Sequence, residues 1–91
     1  MEKKLWVVTH VVQREDSDEY YVIAVCDTFE LAQAMMKAKL DKIKNEWSLE
    51  RDMDDVEIVS APGYSSISAL YSVETDEMCI QELVLNSIDR I

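Results

Sequence analysis

The fold is decided by residues 27–47, DTFELAQAMMKAKLDKIKNEW. Six apolar residues recur within them at helical intervals: Phe29, Ala32, Met36, Leu40, Ile43 and Trp47. This spacing is typical of an amphipathic helix that packs one face against a core. Asp27 or Thr28 is suited to cap the first free N–H groups, and Glu30 follows Asp27 by three residues as in a capping box. We therefore expect one long helix with strands on either side.

Two strand-like segments precede the helix. Residues 4–12 and 20–26 are rich in β-branched and aromatic side chains, whereas residues 13–19 between them are polar. This pattern predicts an antiparallel hairpin. After the helix, residues 48–55 form a charged connection, and we predict further strands at residues 56–61, 66–74 and 77–85. Pro62-Gly63 suits a type II turn, and Thr75-Asp76 a tight turn.

The last segment has two interpretations. We prefer a strand, but a C-terminal helix stays open because Ile80, Leu83, Val84, Ile88 and Ile91 have helical spacing. The preferred order is β-β-α-β-β-β, which predicts an α+β fold with a mainly antiparallel sheet and one long amphipathic helix packed on one face. Residues 1–91 are expected to form a single domain, since a chain of this length buries one modest core.

Both faces of the predicted hairpin are apolar. If Val12 lies opposite Tyr20, Trp6 lies opposite Cys26, and one face carries Trp6, Val8, His10, Val12, Tyr20, Val22, Ala24 and Cys26. The other face carries Leu5, Val7, Thr9, Val11, Tyr21, Ile23 and Val25. We predict that the helix covers the aliphatic Leu5 face, so the other face needs a second covering. Amphipathic rings suit an interface, and Trp6, Val8, His10, Tyr20 and Val22 are therefore the predicted interface residues.

Catalytic patterns are sparse in this sequence. His10 is the only histidine, and the predicted register places it about 13 Å from Cys26, beyond hydrogen-bond reach. A single glycine excludes the glycine-rich loops that cradle phosphates. Cys26 and Cys79 lie in apolar segments without metal-ligand spacing, which favours buried thiols. We therefore expect no catalytic residues, no metal and no cofactor, and a non-enzymatic protein.

The charge is the other strong feature of the chain. Nineteen acidic residues against nine basic ones give a net charge of −10, which disfavours direct binding to nucleic acid. The acids concentrate in two segments, formed by Glu15, Asp16, Asp18 and Glu19 and by Asp52, Asp54, Asp55 and Glu57. We interpret them as solvated turns or as a surface that docks on a basic partner. No apolar run is long enough to cross a membrane and no signal peptide is evident, so a cytoplasmic location is expected.

The hairpin followed by Cys-Asp-Thr-Phe-Glu-Leu-Ala at residues 26–32, and the ending Leu83-Val84-Leu85-Asn86, resemble small uncharacterised ββα-type domains of bacteria and phages. The resemblance implies a fold and carries no catalytic residues.

Two functional hypotheses follow from these patterns. The first is a small acidic intracellular module that binds protein and forms a homodimer through its second apolar face. The alternative is a phage-type inhibitor or nucleic-acid mimic whose acidic segments block a basic groove on a partner protein.

Overall fold

The computed structural model describes residues 2–86. Its elements are β1 (Glu2–Gln13), β2 (Asp18–Cys26), α1 (Phe29–Glu50), a short 3₁₀ helix (Met53–Asp55), β3 (Val56–Ala61), β4 (Tyr64–Ala69) and β5 (Thr75–Asn86). The strands form one antiparallel sheet in the order β2-β1-β5-β4-β3, and α1 packs on one of its faces. The predicted α+β fold is confirmed.

The helix α1 matches its predicted periodicity closely. The Oγ1 of Thr28 accepts a hydrogen bond from the backbone N–H of Leu31 at 3.1 Å, so Thr28 rather than Asp27 is the N-cap. The buried residues of the helix are Ala32, Met36, Leu40, Ile43 and Trp47, all members of the predicted stripe. The helix ends at Glu50, three residues beyond the predicted end.

The second half of the sheet departs from the prediction at one connection. Strand β4 ends at Ala69 instead of residue 74, and the turn follows at residues 70–73, where Tyr71 is 85% exposed. Asp76, predicted in a turn, lies within β5. For residues 80–86 the alternative of a C-terminal helix is wrong, while Ile88 and Ile91 lie outside the described residues. Gly63 has a φ of +78°, as the second central residue of a type II turn requires.

A β-bulge at Ile23 interrupts the hairpin of β1 and β2. Val8 pairs with Ala24, but the next residue, Thr9, pairs with Val22, so that Ile23 has no partner on β1. Because side chains alternate between the two faces of a strand, one extra residue moves every preceding side chain of β2 to the opposite face.

The register is therefore as predicted on one side of the bulge and shifted by one residue on the other. Trp6 lies opposite Cys26 as expected, whereas Val12 lies opposite Glu19 instead of Tyr20.

The helix covers the face that we predicted to be free. Val8, Met78 and Ile67 have no exposed surface and form the core with the buried stripe of α1. The prediction that α1 packs on the Leu5 and Val7 face is therefore wrong. Both faces are apolar, so hydrophobicity did not distinguish them. Under α1 the imidazole of His10 has a hydrogen-bonding partner, which offsets the cost of burying this polar ring.

Candidate functional site

The predicted interface residues are divided between the two faces of the sheet. Trp6, Val8 and His10 lie beneath α1, where Val8 is fully buried and His10 is 7% exposed. Tyr20 and Val22 lie on the opposite face and are 73% and 65% exposed. The first three residues therefore do not form a free surface, and the bulge in β2 is the physical reason for the separation.

The face of the sheet opposite α1, here called the open face, is largely apolar over β2, β1 and β5. Its residues there include Leu5, Val7, Thr9, Val11, Tyr20, Val22, Val25, Cys79, Gln81 and Leu83, together with the charged Glu77, whose carboxylate accepts a hydrogen bond from the hydroxyl of Tyr64 at 2.7 Å. These three strands are neighbours, so the apolar side chains form one continuous surface. Val25 and Leu83 are 57% and 44% exposed, and no described element packs over them. This is the second apolar face that the sequence predicted, carried by different residues.

The two predicted acidic segments lie at the same end of the fold, here called the acidic end. Gln13 pairs with both Asp18 and Thr75, which brings the β1–β2 loop beside the start of β5. The guanidinium of Arg51 forms an ion pair of 2.6 Å with Glu74, which joins the segment after α1 to this end. All eight residues of the predicted patch lie in or beside these loops: Glu15, Asp16, Asp18, Glu19, Asp52, Asp54, Asp55 and Glu57.

A buried carboxylate, that of Asp76, joins three elements beside the acidic end. Its Oδ1 accepts a hydrogen bond from Nε2 of His10 at 2.9 Å, and its Oδ2 accepts one from Nε1 of Trp47 at 2.7 Å. Arg14 donates to the same Oδ2 at 3.2 Å. Since a carboxylate only accepts hydrogen bonds, His10 carries its proton on Nε2 when Asp76 is ionised. Asp76 thereby connects β1 and α1 to β5.

The environment of Asp76 favours its ionised form. Burial on its own raises the pKa of this carboxyl group, but the hydrogen bonds from His10 and Trp47 and the charge of Arg14 lower it more. The net pKa of Asp76 lies below the ordinary value of 3.8. Sequence reasoning missed this residue because it was assigned to a turn. The alternation of Asp76 with Met78 and Ile80 was the available signal that it points inward.

A half-open cleft of about 510 Å³ lies above this network, between the end of α1 and the sheet. The residues that line it are mostly charged or aromatic: His10, Val12, Arg14, Glu19, Tyr21, Lys39, Ile43, Glu46, Trp47, Leu49, Glu50, Arg51, Glu74 and Asp76. A histidine–aspartate pair suits general-base catalysis when a nucleophile lies beside it. The described lining contains no serine, threonine or cysteine, and His10 is nearly buried. Within the fold the pair holds β1 to β5.

The two cysteines are free thiols on opposite faces of the sheet. Cys26 is buried beneath α1, and Cys79 lies on the open face opposite Thr9. Burial and the nearby charge of Glu77 raise the pKa of Cys79, which keeps this thiol protonated. Among residues 2–86, no three His, Cys, Asp or Glu side chains are placed to share a metal ion.

No protein-family model, curated protein or solved structure matches this chain. The helix of the described residues, α1, is not apolar enough to cross a membrane.

Proposed function

We propose that this chain is a non-enzymatic protein-binding module of the cytoplasm and that it forms a homodimer through its open face. The observation that carries the proposal is the continuous apolar surface over β2, β1 and β5, on which Val22, Val25 and Leu83 are between 44% and 65% exposed. An exposed apolar patch of this kind is typical of an interaction surface. The two free thiols fit a reducing compartment.

The size of the open face suits a second copy of the chain. Five strands about 4.8 Å apart and about 25 Å long give a flat area on the order of 600 Å², to which the projecting side chains add further surface. A standard protein interface buries roughly 800 Å² on each partner, so a stable dimer needs the whole face, including β4 and β3 beyond the three apolar strands.

Two charges at the ends of the open face are also compatible with self-association. Lys3 lies at the start of β1 and Asp18 at the start of β2, at opposite ends of this face. A two-fold axis that runs across the strands places the start of β1 in one copy over the end of β1 in the other. Lys3 of each copy then approaches Asp18 of the second copy, where opposite charges fix the orientation.

Charge substitutions on the open face test this proposal. Val25→Glu and Leu83→Glu place a carboxylate within the dimer interface, and both are expected to yield monomers in sedimentation equilibrium. Leu49→Glu is the matched control because Leu49 is 86% exposed near the end of α1, away from the open face. If both open-face variants remain dimeric while circular dichroism shows a native fold, the open face is not the interface.

The acidic end supports a second candidate function, an inhibitor of the phage type that blocks a basic groove on a nucleic-acid-binding protein. The specific observation is that two acidic segments more than thirty residues apart in sequence lie at the same end of the sheet, one at each edge. The basic residues beside them, Arg14 and Arg51, are each paired with a carboxylate, so the surface charge stays strongly negative.

Two triple variants of equal net charge test this candidate. In the first, Asp52, Asp54 and Asp55 become Asn, and in the second, Asp27→Asn, Glu30→Gln and Asp41→Asn remove the same charge elsewhere. An oligolysine probe at low salt is expected to bind the first variant about tenfold more weakly than the second. Equal affinity of the two variants would show that only net charge matters and that the acidic end is not a site.

A further inference from the structure

Strand β2 forms one edge of the described sheet, and apart from the bulge at Ile23 and two carboxylates at its start it lacks the usual protection of an edge strand. Natural edge strands are blunted by charged side chains, proline, a β-bulge or a covering element, because their free backbone groups pair readily with another strand. The nine residues of β2 contain no lysine, arginine or proline. The six residues of β3, the other edge, contain none either, so it is the hollow described below that distinguishes the edge formed by β2. Tyr20 and Val22 are largely exposed along it. The edge is therefore open to an added strand.

The bulge at Ile23 limits how much of this edge is usable. It interrupts the regular alternation of β2, so continuous pairing is available over residues 18–22 only. Five residues are too few for the long, regular strand pairing by which exposed edges aggregate. They are enough to pair with a short extended peptide.

A hollow lies beside this part of the edge, on the face that α1 covers. Its volume is about 400 Å³, and it is lined by His10, Tyr21, Val22, Ile23 and Lys39. Side chains of an added strand alternate between the two faces, so one of them would enter this hollow between the sheet and Lys39 of α1. Strand addition takes its affinity from the backbone and its specificity from such hollows.

The charge of β2 determines which kind of strand fits. Asp18 and Glu19 are carboxylates at its start, and the strand offers no basic side chain to a neighbour. A second copy of β2 would bring two more carboxylates and no compensating charge, so the edge is not complementary to itself. A peptide with a basic residue beside Asp18 and Glu19 is complementary to it.

We propose that residues 18–22 of β2 bind a short extended segment of a partner protein by strand addition, and that this segment carries alternating apolar residues with a basic residue at its end. The inference rests on the proposed protein-binding role and names the chemistry of the partner. It uses the edge of the sheet, whereas dimerisation uses the open face.

The test uses the capped peptide Arg-Val-Thr-Val-Arg, with basic residues at both ends so that either strand direction is allowed. In a ¹⁵N-labelled sample, titration to millimolar peptide is expected to shift the amide signals of β2 saturably and to leave those of β3, the other edge, unchanged. The peptide Glu-Val-Thr-Val-Glu is expected to bind at least about tenfold more weakly. The double variant Asp18→Asn and Glu19→Gln is expected to reduce that difference to about twofold.

N-methylated peptides separate strand addition from simple charge attraction. Methylation of the two valine amides and methylation of the threonine amide block opposite edges of the peptide, so one of these peptides is expected to lose binding and the other to keep it. Equal binding of both peptides, shifts confined to β3, or unshifted β2 amides would each overturn the proposal.

The same titration with Leu83→Glu distinguishes this inference from the proposed dimer. The peptide is expected to bind the variant as it binds the wild type, whatever the oligomeric state of either. If the wild-type chain dimerises through β2 itself and excludes the peptide, a second copy occupies the edge and the proposal is wrong. If the wild-type chain is monomeric and the peptide binds β2, the dimer proposal fails alone.

Discussion

The indole Nε1 of Trp47 donates a 2.7 Å hydrogen bond to the buried carboxylate of Asp76, which joins the last turns of α1 to the start of β5. The guanidinium of Arg51 lies 4.2 Å from the centroid of the Trp47 ring and forms an ion pair with Glu74. A cation over an indole face and a charge-assisted hydrogen bond from its edge together hold the ring in one orientation. This end of the helix is therefore held by polar contacts as well as by apolar packing.

Replacing Asp76 is expected to destabilise the fold to a degree that depends on the substitute. Asp76→Ala leaves Trp47, His10 and Arg14 without their acceptor and is expected to lower the free energy of unfolding by about 3–4 kcal/mol. Asp76→Asn keeps one oxygen for Trp47, and His10 can accept from the new amide, so the loss is expected to be about 1–2 kcal/mol. Urea unfolding measures both. Asp16→Asn, in the exposed β1–β2 loop, is the control, and equal effects of the two Asp76 variants would contradict the hydrogen-bond assignment.

The lowered pKa of Asp76 predicts how acid affects stability. A carboxyl group whose pKa is lower in the folded state stabilises that state above its unfolded pKa, here 3.8, and this contribution is lost as the pH falls through the folded pKa. The difference in unfolding free energy between the wild type and Asp76→Asn is therefore expected to narrow below pH 3.8. Urea titrations at a series of acidic pH values measure this difference. If this difference in unfolding free energy stays constant down to pH 2, the folded state does not favour the ionised form of Asp76.

Removal of the helix cap is expected to have a moderate effect. Thr28→Ala deletes the oxygen that accepts the N–H of Leu31 and is expected to cost about 1 kcal/mol in thermal or urea unfolding. Asp27→Ala, one residue earlier, removes only a charge near the positive end of the helix dipole and is expected to cost a few tenths of that, about 0.3 kcal/mol. A larger loss of unfolding free energy in Asp27→Ala than in Thr28→Ala would show that Asp27 is the N-cap.

A pair of cross-strand isoleucines tests the position of the core. Ile67 is fully buried on β4, and its direct partner on β3, Ile58, is 39% exposed. Ile67→Ala is expected to lower the free energy of unfolding by about 2–4 kcal/mol, and Ile58→Ala by about 1 kcal/mol. Similar losses for the two variants would mean that the core does not end between these strands.

The helix and most strands were predictable because their signals are local. The stripe from Ala32 to Trp47 and the turn at Gly63 each depend on a spacing or a backbone preference that the sequence displays directly. Strand β3 has the predicted limits, and β1, β2 and β5 are within two residues of theirs.

Which face of the sheet α1 covers was not predictable, since this depends on strand register and on contacts between residues far apart in the sequence. A bulge at Ile23 has no signature in a strand that is apolar on both faces, yet it decides where Tyr20 and Val22 lie. The bond between His10 and Asp76 joins residues 66 positions apart. This hydrogen bond gives the imidazole of His10 a partner beneath α1, so that the polar ring can be buried on that face.

The most direct test of the central claim is the solution mass of the wild-type chain, measured by size-exclusion chromatography with light scattering at low and at high salt. We predict a mass of twice the 10.5 kDa of one chain under both conditions, because the open face is apolar and its burial is not weakened by salt. A mass of 10.5 kDa at every concentration tested would contradict the claim that a second copy covers this face.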